Sequence, residues 1–375
     1  MSTLKPAIFS FFSGSGFLDL GFENSGYEVV FVNEFHSPFM DAYKHSRAVM
    51  NKPIPRFGYA EKSIEEIDHK SLKEAIETLR QEKRIIGFIG GPPCPDFSVA
   101  GKNKGRDGEN GKLSQSYIDI IVEMKPDFFL FENVKGLYRT FKHREFFEHL
   151  KIQLKNVGYT LHERLINSIE YGAPQDRERI ILLGFQDEKL GQSFNWSGRV
   201  YPDRSAFDYK WPTTSQYNED SILPIPDALP CELTVDYWFN KNNVSKHVNA
   251  KHVFTARAGL ARFMSVEEGD DSKKSYKRLH RWRYSPTAAY GNNEVHLHPY
   301  KPRRITVAEA LAIQSLPKEF ELPAKMTLSN MFKTVGNGVP YVAALGIATS
   351  ILEHLGYEND TNSTESCKRD WKATA

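Results

Sequence analysis

Five short apolar runs punctuate the first half of this 375-residue chain, and most are followed by a stretch with helical spacing. The runs are "AIFSFFS" (7–13), "EVVFV" (28–32), "RIIGFIG" (84–90), "FFLFENV" (128–134) and "RIILLGF" (179–185). Between them lie "FLDLGFENSG", closed by Gly26, the amphipathic "SIEEIDHKSLKEAIETLRQ", and "SYIDIIVEMK". A strand apolar on both faces has to be covered on both faces, and intervening helices supply that cover. The alternation therefore predicts an α/β fold built on a doubly wound, mostly parallel sheet.

The pattern stops near residue 186. Residues 186–300 are rich in Trp, Tyr, Asn, Pro and His without a helical period, and read as a separate irregular lobe rather than more sheet. Helical spacing returns at "TVAEALAIQSL" (306–316) and "GVPYVAALGIATSILEHL" (338–355). The expected organisation is a catalytic and ligand-binding domain over 1–185 and a recognition lobe over 186–324 that includes the late helix. A segment over 325–357 then returns to the first domain, and a polar tail over 358–375 reads as disordered. No internal repeat is present.

Composition narrows the function classes. Hydrophobic residues make up 40% of the chain, enough for a large core, and the net charge of +2 names no partner by itself. The three cysteines, Cys94, Cys231 and Cys367, are widely spaced, which argues against a disulfide framework and a structural zinc site. The start lacks a signal-peptide pattern, and no apolar run is read as reaching membrane-spanning length. These features predict a reduced, cytoplasmic, metal-free protein.

Two loops concentrate chemistry. "FFSGSGFLDLGF" sets Gly14 and Gly16 between a strand and a helix, where glycine allows a tight turn and close ligand approach. Glu34 follows the second strand eighteen residues after Gly16, a spacing suited to a ribose hydroxyl pair. Phe17 interrupts the full GxGxxG pattern, so the loop fits an adenosine-containing cofactor without choosing between a dehydrogenase and a methyltransferase.

The second loop is "GGPPCPDFS" (90–98), where Cys94 is caged by prolines at the mouth of a buried strand. Prolines fix the backbone of a nucleophile that must attack along one direction. The following "VAGKNKGRDGENGKL" mixes glycines with Lys102, Lys104, Arg106 and Lys112, as a hinged basic lid over an anionic substrate would. "FENV" brings Glu132 to the end of another strand. "YGAPQDRERIILLG" sets Arg177 and Arg179 two residues apart, on one face of a strand.

Taken together and in order, "FSGSG", an acid after the second strand, "GGPPCPDFS", "FENV", "PQDRER", "RRITVAEALAIQ" and "VGNGVPY" resemble the C5-cytosine DNA methyltransferases. The resemblance runs from residue 8 to about 348. It implies a Rossmann-like, S-adenosylmethionine-dependent fold with a smaller target-recognition domain. It also implies a cofactor site lined by Phe12, Gly14, Gly16, Glu34, Phe35, Pro92, Leu113, Asn337 and Val339. Cys94 is then the nucleophile, Glu132 holds the N3 and N4 edge of the base, Arg179 meets the base O2, and Arg177 positions a loop or a phosphate. Departures are Phe17 for a glycine, Pro95 and Asp96 after the cysteine, Ser63 where an acid contacts adenine, and Ala308 for an arginine.

The implied chemistry explains the residues. Cytosine C5 is a poor nucleophile, and thiolate addition at C6 converts the ring to a reactive enamine. The base has to be flipped from the duplex to reach Cys94. Reading of a short double-stranded DNA site falls to the lobe. There "KKSYKRLHRWRYSPT" (273–287) offers Arg278, Arg281 and Arg283 among aromatics, and Lys102, Lys104 and Arg106 of the lid complete the expected DNA contacts. The alternatives are the same chemistry on RNA cytosine, or an inactive DNA-binding relative. The protein is expected to be a monomer, and a cognate restriction endonuclease encoded nearby is an expected companion with no direct contact implied.

Overall fold

All five apolar runs form strands in the computed structural model, which describes residues 4–93, 109–256, 259–273, 275–288, 290 and 294–357. They are β1 (Ala7–Phe11), β2 (Glu28–Asn33), β4 (Ile86–Gly90), β5 (Phe128–Val134) and β7 (Glu178–Phe185). Two further strands, β3 (Tyr59–Ala60) and β6 (Thr160–Asn167), complete a seven-stranded sheet in the order β3-β2-β1-β4-β5-β7-β6. The pairs from β3 through to β5 are parallel, whereas β7 runs antiparallel to both β5 and β6. The fold is therefore the expected mostly parallel one, with a single reversed strand.

Helices cover both faces of the sheet. They are α1 (Phe17–Ser25), α2 (Ser37–Val49), α3 (His69–Gln81), α4 (Glu109–Met124) and α5 (Phe141–Asn156). One core packs β1, β4 and β5 side chains such as Phe9, Phe88 and Phe129 against Leu79 of α3, Ile121 of α4 and Phe147 of α5. The opposite face packs Ile8, Ile89 and Leu130 against Phe22 of α1 and Met40 of α2.

The short helix α6 (Glu188–Ser193) lies beyond the expected boundary at 185 yet still packs on the sheet. Its Gly191 leaves no room for a Cβ beside Thr160, and Ser197 accepts at its carbonyl from Ser350. Among the described residues the remaining lobe contributes no strand to the sheet; it holds the short helices α7 (Val235–Lys241) and α8 (Leu260–Met264). Three late helices follow, α9 (Val307–Ile313), α10 (Leu328–Asn337) and α11 (Tyr341–His354). The core around α9 joins Trp238 and Leu279 of the lobe to Phe17 and Leu20 of α1.

Residues 328–354 together are apolar and long enough to cross a membrane, contrary to the sequence expectation that no run reaches that length. The structure divides them at Gly338–Pro340 and packs α11 onto α1. Close approach is possible because Gly21 of α1 faces the backbone at Ala344, where a Cβ would stand 2.6 Å from it. This stretch is a core element.

Candidate active site

Strand order reverses between β1 and β4, since the chain winds outward from β1 to β3 on one side and from β4 to β5 on the other. Ligands of open α/β sheets bind at the carboxyl ends of the strands flanking such a point. The glycine turn follows β1, the cysteine loop follows β4, and Glu132 lies near the end of β5.

The glycine turn is held from both sides. Phe12, Gly14 and Gly16 all have positive φ, 52°, 56° and 79°. Glu34 accepts from the Gly14 amide at 2.8 Å and the His36 amide at 2.7 Å, so the acid after β2 fixes the turn after β1. Burial pushes the Glu34 carboxyl up, against the pull of those amides. Behind the turn, the buried Arg47 donates to the Gly16 carbonyl at 2.7 Å and pairs with Glu23 at 3.0 Å. A Cβ on Gly16 would lie 2.5 Å from the Tyr43 ring and 2.8 Å from Arg47, whereas one on Gly14 would project into open space. Gly16 is thus required by packing, while Gly14 leaves a backbone surface open to a ligand.

Of the other expected cofactor residues, Phe12 opens this turn, Phe35 follows Glu34, Pro92 follows β4, Leu113 lies on α4, and Asn337 and Val339 flank the end of α10. Phe12 packs edge-on to Tyr117 of α4, and Leu113 of the same helix is partly buried against that core. Phe35 is 71% exposed directly after Glu34. Pro92 is buried, and its carbonyl accepts from Asn133 at 3.3 Å. Asn337 ends α10 exposed, with Val339 buried just after it. Ser15 joins the two segments through a 2.6 Å hydrogen bond to Thr334. Ser63, at the position of the missing acid, accepts from the Glu65 amide and caps a short turn with Glu66.

Glu132 and Arg179 meet across β5 and β7, with Arg179 Nε 2.8 Å from Glu132 Oε1. Burial pushes the Glu132 carboxyl up, while Arg179 and Arg177 pull it down. The carboxylate also reaches the residue that follows β4: a Cβ on Gly91 would stand 2.7 Å from Glu132 Oε2. The backbone three residues before Cys94 therefore lies against this carboxylate. Cys94 itself, with Pro95, Asp96, Lys102, Lys104 and Arg106, lies outside the described residues. Arg177 is buried and donates to the carbonyls of Ala288 at 3.1 Å and Gly336 at 2.7 Å, so it ties the segment at Ala288 to the last turn of α10. A cleft of about 280 Å³ opens beside the pair, lined by Val134, Lys135, Gly136, Asp176, Glu178, Arg179 and Thr287.

Comparison with known proteins places the chain in a family. The family model for C-5 cytosine-specific DNA methylase matches residues 7–353. The chain belongs to that family. The Type II methyltransferase M.NmeDI of Neisseria meningitidis serogroup C is 60% identical over 97% of this chain and 87% of its own length. M.FnuDI of Fusobacterium nucleatum is 29% identical over 93% and 94%. Among solved structures, a chain described as a DNA modification methyltransferase encoded within an E. coli prophage shares the fold. Its TM-score is 0.66 at 21% identity, covering 94% of this chain and all of the other. This methylase is a DNA (cytosine-5-)-methyltransferase.

The methylase family uses S-adenosylmethionine, and the residues present fit such a ligand. Gly14 leaves its turn open, and Ser13 Oγ is buried there with no hydrogen-bond partner among the described residues. The carboxylate of Glu34 and the exposed ring of Phe35 flank it.

The lobe corrects the sequence expectation for three cations of the methylase. Arg278 is fully buried and donates to the carbonyls of Val266, Phe263, His298 and Lys301. Arg281 is buried on Glu268, with Nη2 2.8 Å from Oε2, and also bonds Ser221. Arg283 donates to the carbonyls of Pro212, Thr213 and Gly269. In an irregular lobe without a ladder, these guanidinium groups collect carbonyls that no strand partner satisfies. They hold the lobe together and have few donors left for DNA.

Sequence reasoning also missed Arg47, Gly91 and Asn133. Asn133 lies inside "FENV" and Gly91 inside "GGPPC", so the motifs pointed at both without a role. Arg47 carries no local signal, because its partners are brought by β1 and α1.

Proposed function

We propose that this methylase transfers a methyl group from S-adenosylmethionine to C5 of a flipped-out cytosine in a specific short double-stranded DNA sequence, through a covalent Cys94–C6 adduct. The observation that carries the proposal is the Glu132–Arg179 pair at the carboxyl edge, with Gly91 of the cysteine loop against Glu132 Oε2.

Cys94 is the nucleophile. Arg179 supplies positive charge near the start of its loop, which favours the thiolate. Burial pushes the Glu132 carboxyl up against the pull of Arg179 and Arg177, which favours a carboxyl that holds or shares a proton with N3 as charge arrives there. Arg179 keeps that carboxyl oriented and meets the base O2. Gly14, Gly16, Glu34, Phe35, Pro92, Leu113, Asn337 and Val339, with Phe12 behind the turn, hold the cofactor. S-adenosylmethionine supplies an electrophilic methyl group on a sulfonium. The same reading has a cytoplasmic monomer with double-stranded DNA as substrate, and a cognate restriction endonuclease encoded nearby.

Expression in a methylation-free host followed by bisulfite sequencing tests the proposal. 5-Methylcytosine confined to one short DNA site is expected, and Cys94→Ser abolishes it while S-adenosylmethionine binding persists. Full activity of Cys94→Ser would sink the covalent route, and marks confined to RNA would move the substrate.

A further inference from the structure

With the lobe arginines spent internally, the described surface beside the cleft offers another place for DNA. We propose that residues 135–144, running from the end of β5 into α5, form a phosphate-binding surface that seats the DNA backbone next to the catalytic cleft. The inference rests on the reading of this chain as a methylase of a flipped base in duplex DNA.

The segment reads "KGLYRTFKHR": four Lys or Arg and no acid in ten residues of a chain whose net charge is +2. Such local concentration is what a polyanion-binding surface requires. Lys135 lines the cleft and is held by Glu178 at 2.7 Å. Arg139, Lys142 and Arg144 are exposed and have no acidic partner among the described residues. This separates them from Arg278, Arg281 and Arg283.

Position follows from the local fold. A turn over Lys135–Tyr138 leaves the carboxyl end of β5 and buries Leu137. Gly136 lines the cleft, and its carbonyl lies 3.3 Å from His143 Nδ1, which ties the first turn of α5 to the cleft rim. Helix α5 then buries His143, Phe146, Phe147 and Leu150, leaving Lys142 and Arg144 outside. Phe141, 74% exposed, presents an apolar ring among the cations, where nucleic-acid surfaces commonly mix charge and ring contact. A flipped cytosine entering the cleft leaves its flanking phosphates at this rim, where the cations stand.

Each phosphate contact adds a slope of about −0.9 to log K against log salt. Binding of the full-length chain to a mixed-sequence DNA duplex, measured by fluorescence anisotropy across about 50 to 200 mM salt, reads it directly. The triple variant Arg139→Gln, Lys142→Gln, Arg144→Gln should flatten the slope by about 2.7. The wild-type advantage should then shrink about 40-fold over that range. S-adenosylmethionine binding and the thermal midpoint should not change. Should the triple variant not fold, the single variants each remove about 0.9. An unchanged slope in folded variants overturns the proposal. Bisulfite sequencing of host DNA exposed to the wild type keeps the two readings apart: absent C5 marks with intact salt-dependent DNA binding defeat the methylase reading and leave the surface standing.

Discussion

Asp19 lies in the first turn of α1, directly behind the glycine turn, and accepts from Ser10 at 2.9 Å. Burial raises its carboxyl from 3.8 to about 6, against the pull of Arg47. A folded-state value above the unfolded one means that the folded protein holds the proton more tightly. The associated stability is therefore fully present below about pH 4 and is lost as pH rises through 6. A shift of this size is worth on the order of 3 kcal/mol. Asp19→Asn should accordingly unfold at a higher temperature than the wild type at pH 8, with the advantage fading toward pH 4. Thermal melts across that range check it, and a pH-independent difference would rule the titration out. Arg47 stays neutralised by Glu23 in the variant. At this scale the sequence was most legible where chemistry sits in a motif: Glu34, Glu132 and Arg179 were all named from spacing and order. Asp19 and Arg47 were not, because a helix acid and a helix arginine usually face water, and only packing against β1 buries them.

Helix α1 starts with Phe17, where the family resemblance leads one to expect glycine. The ring is buried, edge-on to Phe320 at 5.1 Å between centroids, and it occupies the space beside Gly338 between α10 and α11. A Cβ on Gly338 would stand 2.1 Å from that ring, and Gly338 has φ −64°, so the objection to a side chain is steric alone. Gly338→Ala should cost about 1–3 kcal/mol by overpacking. Phe17→Leu should recover part of this in a double-mutant cycle read by urea unfolding. Strictly additive effects would show that the two positions do not touch. Phe17 thus fills the space that Gly338, without a side chain, leaves beside it. Strands were legible as elements wherever both faces are buried, as in β1, β4, β5 and β7. Strand β6 escaped because it lies at the sheet edge and carries His162, Glu163 and Arg164 amid half-buried neighbours. Strand β3 is two residues long and leaves almost no pattern to read.

Across the whole molecule, Arg177 stitches three parts of the chain. It enters from the start of β7 and donates to Ala288, beyond the lobe's cation run, and to Gly336 in α10, beside the expected cofactor residue Asn337. Arg177→Lys keeps the charge but loses the planar fork that meets both carbonyls. One buried carbonyl left without a partner costs about 1–3 kcal/mol. The variant should therefore melt lower and bind S-adenosylmethionine more weakly, while Glu132 and Arg179 remain paired. Isothermal titration with the cofactor checks this, and wild-type affinity would show that the stitch does not reach the pocket.

The sequence alone determined the α/β class, the order of the motifs along the chain and the identity of the acid, the arginines and the glycine turn. Short-range patterns carry these, since burial on both faces and turn geometry act over a few neighbouring residues. Tertiary structure alone decided that β7 runs antiparallel between β5 and β6, which sets Arg179 against Glu132. It alone turned Arg278, Arg281 and Arg283 inward and left Arg139, Lys142 and Arg144 facing water. The two basic runs look alike as letters. What separates them is whether distant segments bring unsatisfied carbonyls and carboxylates within reach, and that is a property of the folded chain.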